Sequence, residues 1–136
     1  MKELIVEAVK TNLLKVLAFV DEQLEAVGCP TRTQISIDIA VEELFINIAS
    51  YSYDSGIGTA TMQVTVHKEP LSVEITFIDN GKQYDPLARE DPDITLPVKK
   101  RKKGGLGIFM VKKSMDDINY EYKDGKNILT IKKILT

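Results

Sequence analysis

Glu43 and Asn47 lie four residues apart within a stretch, about Arg32 to Tyr53, where Ile37, Val41, Leu44 and Ile48 recur at helical spacing. A helix there carries both polar side chains on one face, with Ala40 and Ser50 beside them and the apolar stripe on another face. A carboxamide oxygen in that position suits Mg²⁺, a hard cation that prefers oxygen ligands. A carboxylate one turn away can orient or deprotonate an attacking hydroxyl. The plainer alternative is a solvated polar face, and the pair by itself favours it. Two further groups bear on the choice. Asp79-Asn80-Gly81 follows the apolar run Val73–Ile78. A carboxylate at a strand end can accept a hydrogen bond from an exocyclic amine such as that of adenine, and a glycine lets a base approach the backbone. The same tripeptide is also ordinary turn chemistry. Lys103-Gly104-Gly105-Leu106-Gly107-Ile108 then opens an apolar helical pattern. Glycines at a helix start leave N–H groups and the positive helix end free for phosphate, although a hinge beneath a solvated basic loop would read alike. Neither a P-loop nor a dinucleotide fingerprint is present.

The elements that must position these groups follow from periodicity. Residues 2 to 8 predict a short strand. A helix runs from about Thr11 to Val27 on Leu13, Leu17, Val20, Leu24 and Val27, capped by Thr11 or Asn12 and ended by Gly28. The second helix, 32–53, begins at a capping box of Thr31 and Gln34. Its length overrides the strand-like alternation of Ile35, Ile37 and Ile39. Met62, Val64 and Val66, then Leu71, Val73, Ile75 and Phe77, form a hairpin about Glu69-Pro70. Asn80 to Lys103 is aperiodic, and a loop that long is usually functional or disordered. A third helix buries Ile108, Val111 and Met115. Residues 118–122 and 128–134 close the chain as a hairpin around Asp124-Gly125. Three helices and about five strands, mostly antiparallel, predict a single two-layer α/β (α+β) sandwich over 1–136.

Composition bounds the function classes. The chain has 136 residues, 43% hydrophobic and 28% charged, so one domain can bury a real core. No run approaches the roughly 20 apolar residues of a membrane span, and Met1-Lys2-Glu3-Leu4 carries no signal-peptide core. A cytoplasmic location follows by elimination. The single Cys29 excludes an internal disulfide and a cysteine-clustered metal site. A net charge of −2 argues against a general polyanion binder, and the one basic run, Lys99–Lys103, abuts the glycines.

The order of the three groups matters more than any one. Glu-x-x-x-Asn on a helix, Asp-x-Gly after a strand, then a long loop ending in Gly-Gly-x-Gly before a helix, resembles the GHKL (Bergerat-fold) ATPases. There the motifs are the N box and two glycine boxes, with an ATP lid between them, about 82–103 here. The phrases Ala40–Asn47, Ile78–Gly81 and Gly104–Ile108 are most similar to the bacterial anti-sigma factor serine kinases and their stand-alone relatives. The resemblance implies a sheet covered by helices on one side, with Mg-ATP between helix layer and lid. It implies Glu43 as general base, Asn47 as nucleotide and Mg²⁺ ligand, Asp79 as adenine reader and Gly81 at the base. Lys103, Gly104, Gly105, Leu106, Gly107 and Ile108 would surround the phosphates, and Asn127 would join the nucleotide site from the final strand. It further implies a STAS-domain anti-anti-sigma protein and a sigma factor as partners, and a homodimer. Relatives often carry a basic residue where this chain has Tyr51, proline at Gln83 and threonine at Asn127.

The remaining polar and aromatic residues read as structure. His67 is an exposed strand residue near a turn. Tyr120 and Tyr122 alternate with Asn119 and Glu121 as strand packing, and Met110 and Met115 read as helix core. Two functions stay open: a serine protein kinase, or a module whose nucleotide state regulates docking without phosphotransfer. Direct nucleic-acid contact through the basic run ranks last, and no membrane contact is expected.

Overall fold

The computed structural model describes residues 1–53, 56–88 and 106–136. In chain order these form β1 (Lys2–Glu7), α1 (Leu13–Glu25), α2 (Thr31–Tyr51), β2 (Thr59–Lys68), β3 (Leu71–Asp79), α3 (Leu106–Ser114), β4 (Asp117–Lys123) and β5 (Lys126–Ile134). Short 3-10 turns stand at Lys10–Asn12 and Pro86–Ala88. The strands make one sheet in the order β1-β2-β3-β5-β4, with all four pairings antiparallel. This is the expected α+β sandwich.

Alternation along the strands sorts the sheet into two faces. Val6, Ala60, Met62, Val64, Val73, Ile75, Phe77, Leu129 and Ile131 are buried. They meet Val16, Val20 and Leu24 of α1, Ile37, Val41, Leu44 and Ile48 of α2, and Ile108 and Val111 of α3. The opposite face keeps Thr61, Gln63, Thr76 and Thr130 half-exposed, with the Thr76 and Thr130 hydroxyls 3.0 Å apart. Among the described residues, no helix is long and apolar enough to cross a membrane.

The ambiguous isoleucines resolve by helical geometry. Ile37 is fully buried, whereas Ile35 and Ile39 point outward at 55% and 57% exposure. Ala40 is also buried, so it belongs to the packed side of α2 and not to a polar face with Glu43. Met110 is 52% exposed while Met115 is buried. The turn of α3 that buries Ile108 and Val111 carries Met110 outward.

Helix ends depart most from expectation. Pro30 occupies the N-cap of α2 without a side-chain cap, and its carbonyl accepts the Gln34 N–H at 2.9 Å. Thr31 is already helical, so the predicted capping box does not form. Asn12, at the N-cap of α1, instead donates its amide to the Glu7 carbonyl at 2.9 Å. Gly28 does end the first helical segment with a positive φ of 69°. Helix α2 stops at Tyr51, two residues short of the predicted Tyr53. There the Tyr53 hydroxyl donates to the Thr59 carbonyl at 2.6 Å and accepts the Asn80 N–H at 3.0 Å. Asp124 and Gly125 close the final hairpin with φ of 53° and 76°, the left-handed pair that a two-residue turn requires.

Candidate functional site

The C-terminal half of α2, the end of β3, and the paired strands β4 and β5 converge on one cleft. Leu44, Asn47 and Ile48 line it from α2 and Ser52 from just past that helix, Phe77 and Asp79 from β3, and Asn127 and Leu129 from β5. Tyr84, Pro86 and Tyr120 complete the wall. The sheet register explains the floor. Asp79 pairs directly with Asn127 and Phe77 with Leu129, so all four side chains share the inner face.

Asp79 is 4% exposed and Asn127 5%. Burial of that kind demands hydrogen bonds, and they are present. Asp79 Oδ1 accepts the Gly81 N–H and the Asn127 Nδ2–H, each at 2.9 Å. Asn127 Nδ2 also donates to the Lys82 carbonyl at 2.9 Å. Asn127 Oδ1 accepts the Tyr84 N–H at 3.1 Å and the Tyr120 hydroxyl. Tyr120 packs against the core as alternation predicted and is also part of the cleft wall. Burial raises its phenol above the usual range, and Asp85 and Asp79 push the same way against the Tyr84 backbone contact.

Gly81 is glycine for a packing reason. A Cβ there would lie 2.1 Å from the Ser52 carbonyl oxygen, where the neighbouring Lys82 N–H donates at 2.9 Å. That contact clamps the end of β3 to the end of α2. Gly81 itself is not among the residues lining the cleft.

At the other end, Glu43 meets α3. A Cβ on Gly107 would fall 2.1 Å from the Glu43 carboxyl carbon, so the bare backbone of Gly107 is what the carboxylate packs against. Burial, then the neighbouring Glu42, raises the Glu43 carboxyl above the ordinary glutamate range. Asn47, one turn on, faces the cleft, and its amide has no hydrogen-bond partner among the described residues. Ile108 is buried in the core, so only its backbone can face a ligand. Leu106 begins α3. Lys103, Gly104 and Gly105 lie outside the described residues.

Of the predicted site residues, the structure therefore gathers Asn47, Asp79 and Asn127 around one cleft and sets Glu43 against Gly107, one helical turn before Asn47 on α2. Ser52, Tyr84 and Pro86 were not anticipated. Tyr51 stands at the margin, 53% exposed, its ring centroid 5.9 Å from that of Tyr84. Cys29 is half-buried, its thiol raised by burial and by Asp38 and Asp21, so it is not an activated nucleophile.

Residues 6–133 match the family of the histidine kinase-like ATPase domain. The chain is 26% identical over 100 residues to the serine/threonine-protein kinase BtrW of Bordetella bronchiseptica, covering 74% of this chain and 70% of that protein. It is 32% identical over 100 residues to the serine-protein kinase RsbW of Bacillus cereus, covering 71% of this chain and 61% of RsbW. The match thus spans well under the full length of these relatives. Among solved structures, the RsbU and RsbW domains of a Mycobacterium tuberculosis protein superpose with a TM-score of 0.66 at 16% identity, over 99% of this chain and 33% of that one. The histidine kinase domain of a blue-light-activated kinase of Erythrobacter litoralis gives 0.60 at 15% identity, over 96% and 62%. At such identities the structures speak for the fold alone.

Proposed function

The chain belongs to the histidine kinase-like ATPase domain family, and from that premise we propose that it is a Mg-ATP-dependent serine protein kinase of the anti-sigma type. Its protein substrate is a STAS-domain anti-anti-sigma partner, and a sigma factor is the competing ligand. The observation that carries the reading is Glu43 packed on Gly107 at the start of α3, with the amide of Asn47, unpartnered among the described residues, one turn away.

The roles follow from chemistry. A carboxyl raised by burial is a better proton acceptor near neutral pH than an ordinary glutamate, which suits Glu43 to take the proton of an attacking serine hydroxyl. Asn47 offers an oxygen to Mg²⁺, which keeps most of its shell for water and phosphate oxygens. Held there by Asn47, Mg²⁺ would neutralise charge on the transferring phosphoryl group. Asp79 reads the exocyclic amine of the base, and the backbone from Lys103 to Ile108 holds the phosphates.

The test is transfer of labelled phosphate from ATP to a purified STAS-domain protein. Glu43→Gln should lower the rate by about 10²- to 10⁴-fold while ATP still binds. Transfer at the wild-type rate by Glu43→Gln would refute the assignment of the base. One observation favours the runner-up, a docking module without phosphotransfer. Tyr51, set against Tyr84, places a neutral ring at the position where the resemblance implies that relatives often carry a basic residue. Partner capture that requires ATP yet survives Glu43→Gln, with no labelled product, would select that reading.

A further inference from the structure

The amide of Asn127 has two donor hydrogens and an oxygen with two lone pairs, and all four are committed within the protein. The amide's orientation is not interchangeable. The Tyr84 N–H can only donate and so must face Oδ1, while the Lys82 carbonyl can only accept and so must face Nδ2. That orientation directs an Nδ2 hydrogen at Asp79 Oδ1, which also takes the Gly81 N–H. The other oxygen of Asp79 has no partner among the described residues, and the residue lines the cleft. The network therefore sorts the two carboxylate oxygens: one is bound to the protein and the other is left for a ligand.

We propose that Asn127, held by Tyr120, is not a nucleotide contact but the positioning residue that sets base selectivity by fixing which oxygen of Asp79 faces the base. The proposal rests on the nucleotide-site reading above and refines it. A carboxylate oxygen held in one direction accepts from an amino group at the far edge of a purine, and it repels a carbonyl in the same place. Discrimination between amino- and oxo-purines is then set by how firmly Asp79 is held. The residues that hold it are Asn127 on β5 and Tyr120 on β4, neither of which needs to touch the ligand.

The same amide has a second, opposing effect. Tyr84 and Pro86 wall the cleft beside Asp79 and Asn127, and the Tyr84 N–H bond to Asn127 holds that wall in place. Loosening Asn127 thus frees space while it blurs the reading, so affinity for one nucleotide is an ambiguous readout. The ratio of two affinities is not.

The experiment is calorimetric titration of wild type, Asn127→Ala, Asn127→Asp and Tyr120→Phe with Mg-ATP and Mg-ITP, whose base carries a 6-oxo group in place of the 6-amino group. Thermal melts accompany each variant. Wild type should prefer ATP, and Asn127→Ala should shrink the ATP:ITP preference by about tenfold, the equivalent of one oriented hydrogen bond. Tyr120→Phe, which leaves the amide in place, should shrink it less. Asn127→Asp sets a second acceptor against Asp79 Oδ1 and the Lys82 carbonyl, so the two carboxyls must share a proton. Its ATP affinity should be higher at pH 5.5 than at pH 8, by a margin absent from Asn127→Ala. If Asn127→Ala and Tyr120→Phe weaken both nucleotides equally, Asn127 is only structural and the proposal is overturned while the nucleotide site stands. If wild type binds neither nucleotide, the site reading and this refinement both fall.

Discussion

The two ends of the cleft are built in opposite ways. At the base end, Asp79 and Asn127 are almost fully buried, and every polar atom of Asn127 has a protein partner. At the phosphate end, Glu43 and Asn47 are only half-buried, and their side chains make no hydrogen bonds among the described residues. Buried polar groups that the protein itself satisfies persist without ligand, so Asn127 and the Oδ1 of Asp79 are fixed by the fold, with the other Asp79 oxygen left open among the described residues. Half-exposed groups can rely on water until a ligand comes, so the phosphate end is left chemically uncommitted. In the proposed nucleotide site, recognition is thus rigid where a fixed pattern would be read, and open where charge would be met during reaction.

Two glycines allow that contrast to be broken by one kind of substitution. Gly81 would place its Cβ against the Ser52 backbone carbonyl, and Gly107 against the Glu43 carboxylate. A backbone atom held between α2 and β3 cannot yield, so Gly81→Ala should destabilise the domain by about 3 kcal/mol, the upper part of the range for overpacking. Chemical denaturation measures it, and an unchanged midpoint would mean that the base end is softer than its geometry shows. The end of a glutamate side chain can yield by changing rotamer. Gly107→Ala should therefore leave stability unchanged or raise it by up to about 1 kcal/mol, since alanine is the better helix former. It should nonetheless lower phosphotransfer by roughly tenfold, because Glu43 is displaced from its place against α3. Loss of stability in Gly107→Ala without loss of transfer would reverse the comparison.

How much of this was legible in the sequence depended on the range of the interaction. Glu43 and Asn47 follow from helical spacing alone, and the buried stripe Ile37–Ile48 from the same period. Asp79 at a strand end and Gly107 at a helix start were fixed by local pattern. The cleft wall was not, because Tyr84 stands in an aperiodic segment and Ser52 lies just past the end of α2. Tyr120 was within reach. The Asp124-Gly125 turn sets the hairpin register, which pairs Tyr120 with Leu129 on the face already assigned to Asn127 and Leu129. Alternation was read along β4 by itself, and the pairing across the turn carried the information. The helix caps failed for the opposite reason. Thr31 and Gln34 have the spacing of a capping box, but Pro30 takes the N-cap position and its carbonyl the bond.

A pair of carboxyls away from the cleft gives the smallest effect and sharpens the contrast from a third side. Asp21 of α1 and Asp38 of α2 each bury an Oδ1 with no partner among the described residues. Two ionised carboxylates have no proton to share, whereas one proton between them makes an acid–carboxylate hydrogen bond. Burial, that bond to Asp21, and the charges of Asp21 and Glu25 push Asp38 up to about 7 from 3.8. The folded state therefore favours the protonated form. Its stabilising contribution is fully present below about pH 4 and is lost as pH rises through about 7. Because both residues are partly exposed, solvent screening limits the effect to about 1 kcal/mol or less. The melting temperature of the wild type should carry a fall between pH 5 and pH 8 that Asp38→Asn reduces, the amide supplying a permanent donor to Asp21. If Asp38→Asn melts in parallel with wild type across that range, the two carboxyls do not share a proton. Unlike Asp79, which the fold supplies with donors, this pair must draw its hydrogen from solvent, so its contribution varies with pH near neutrality.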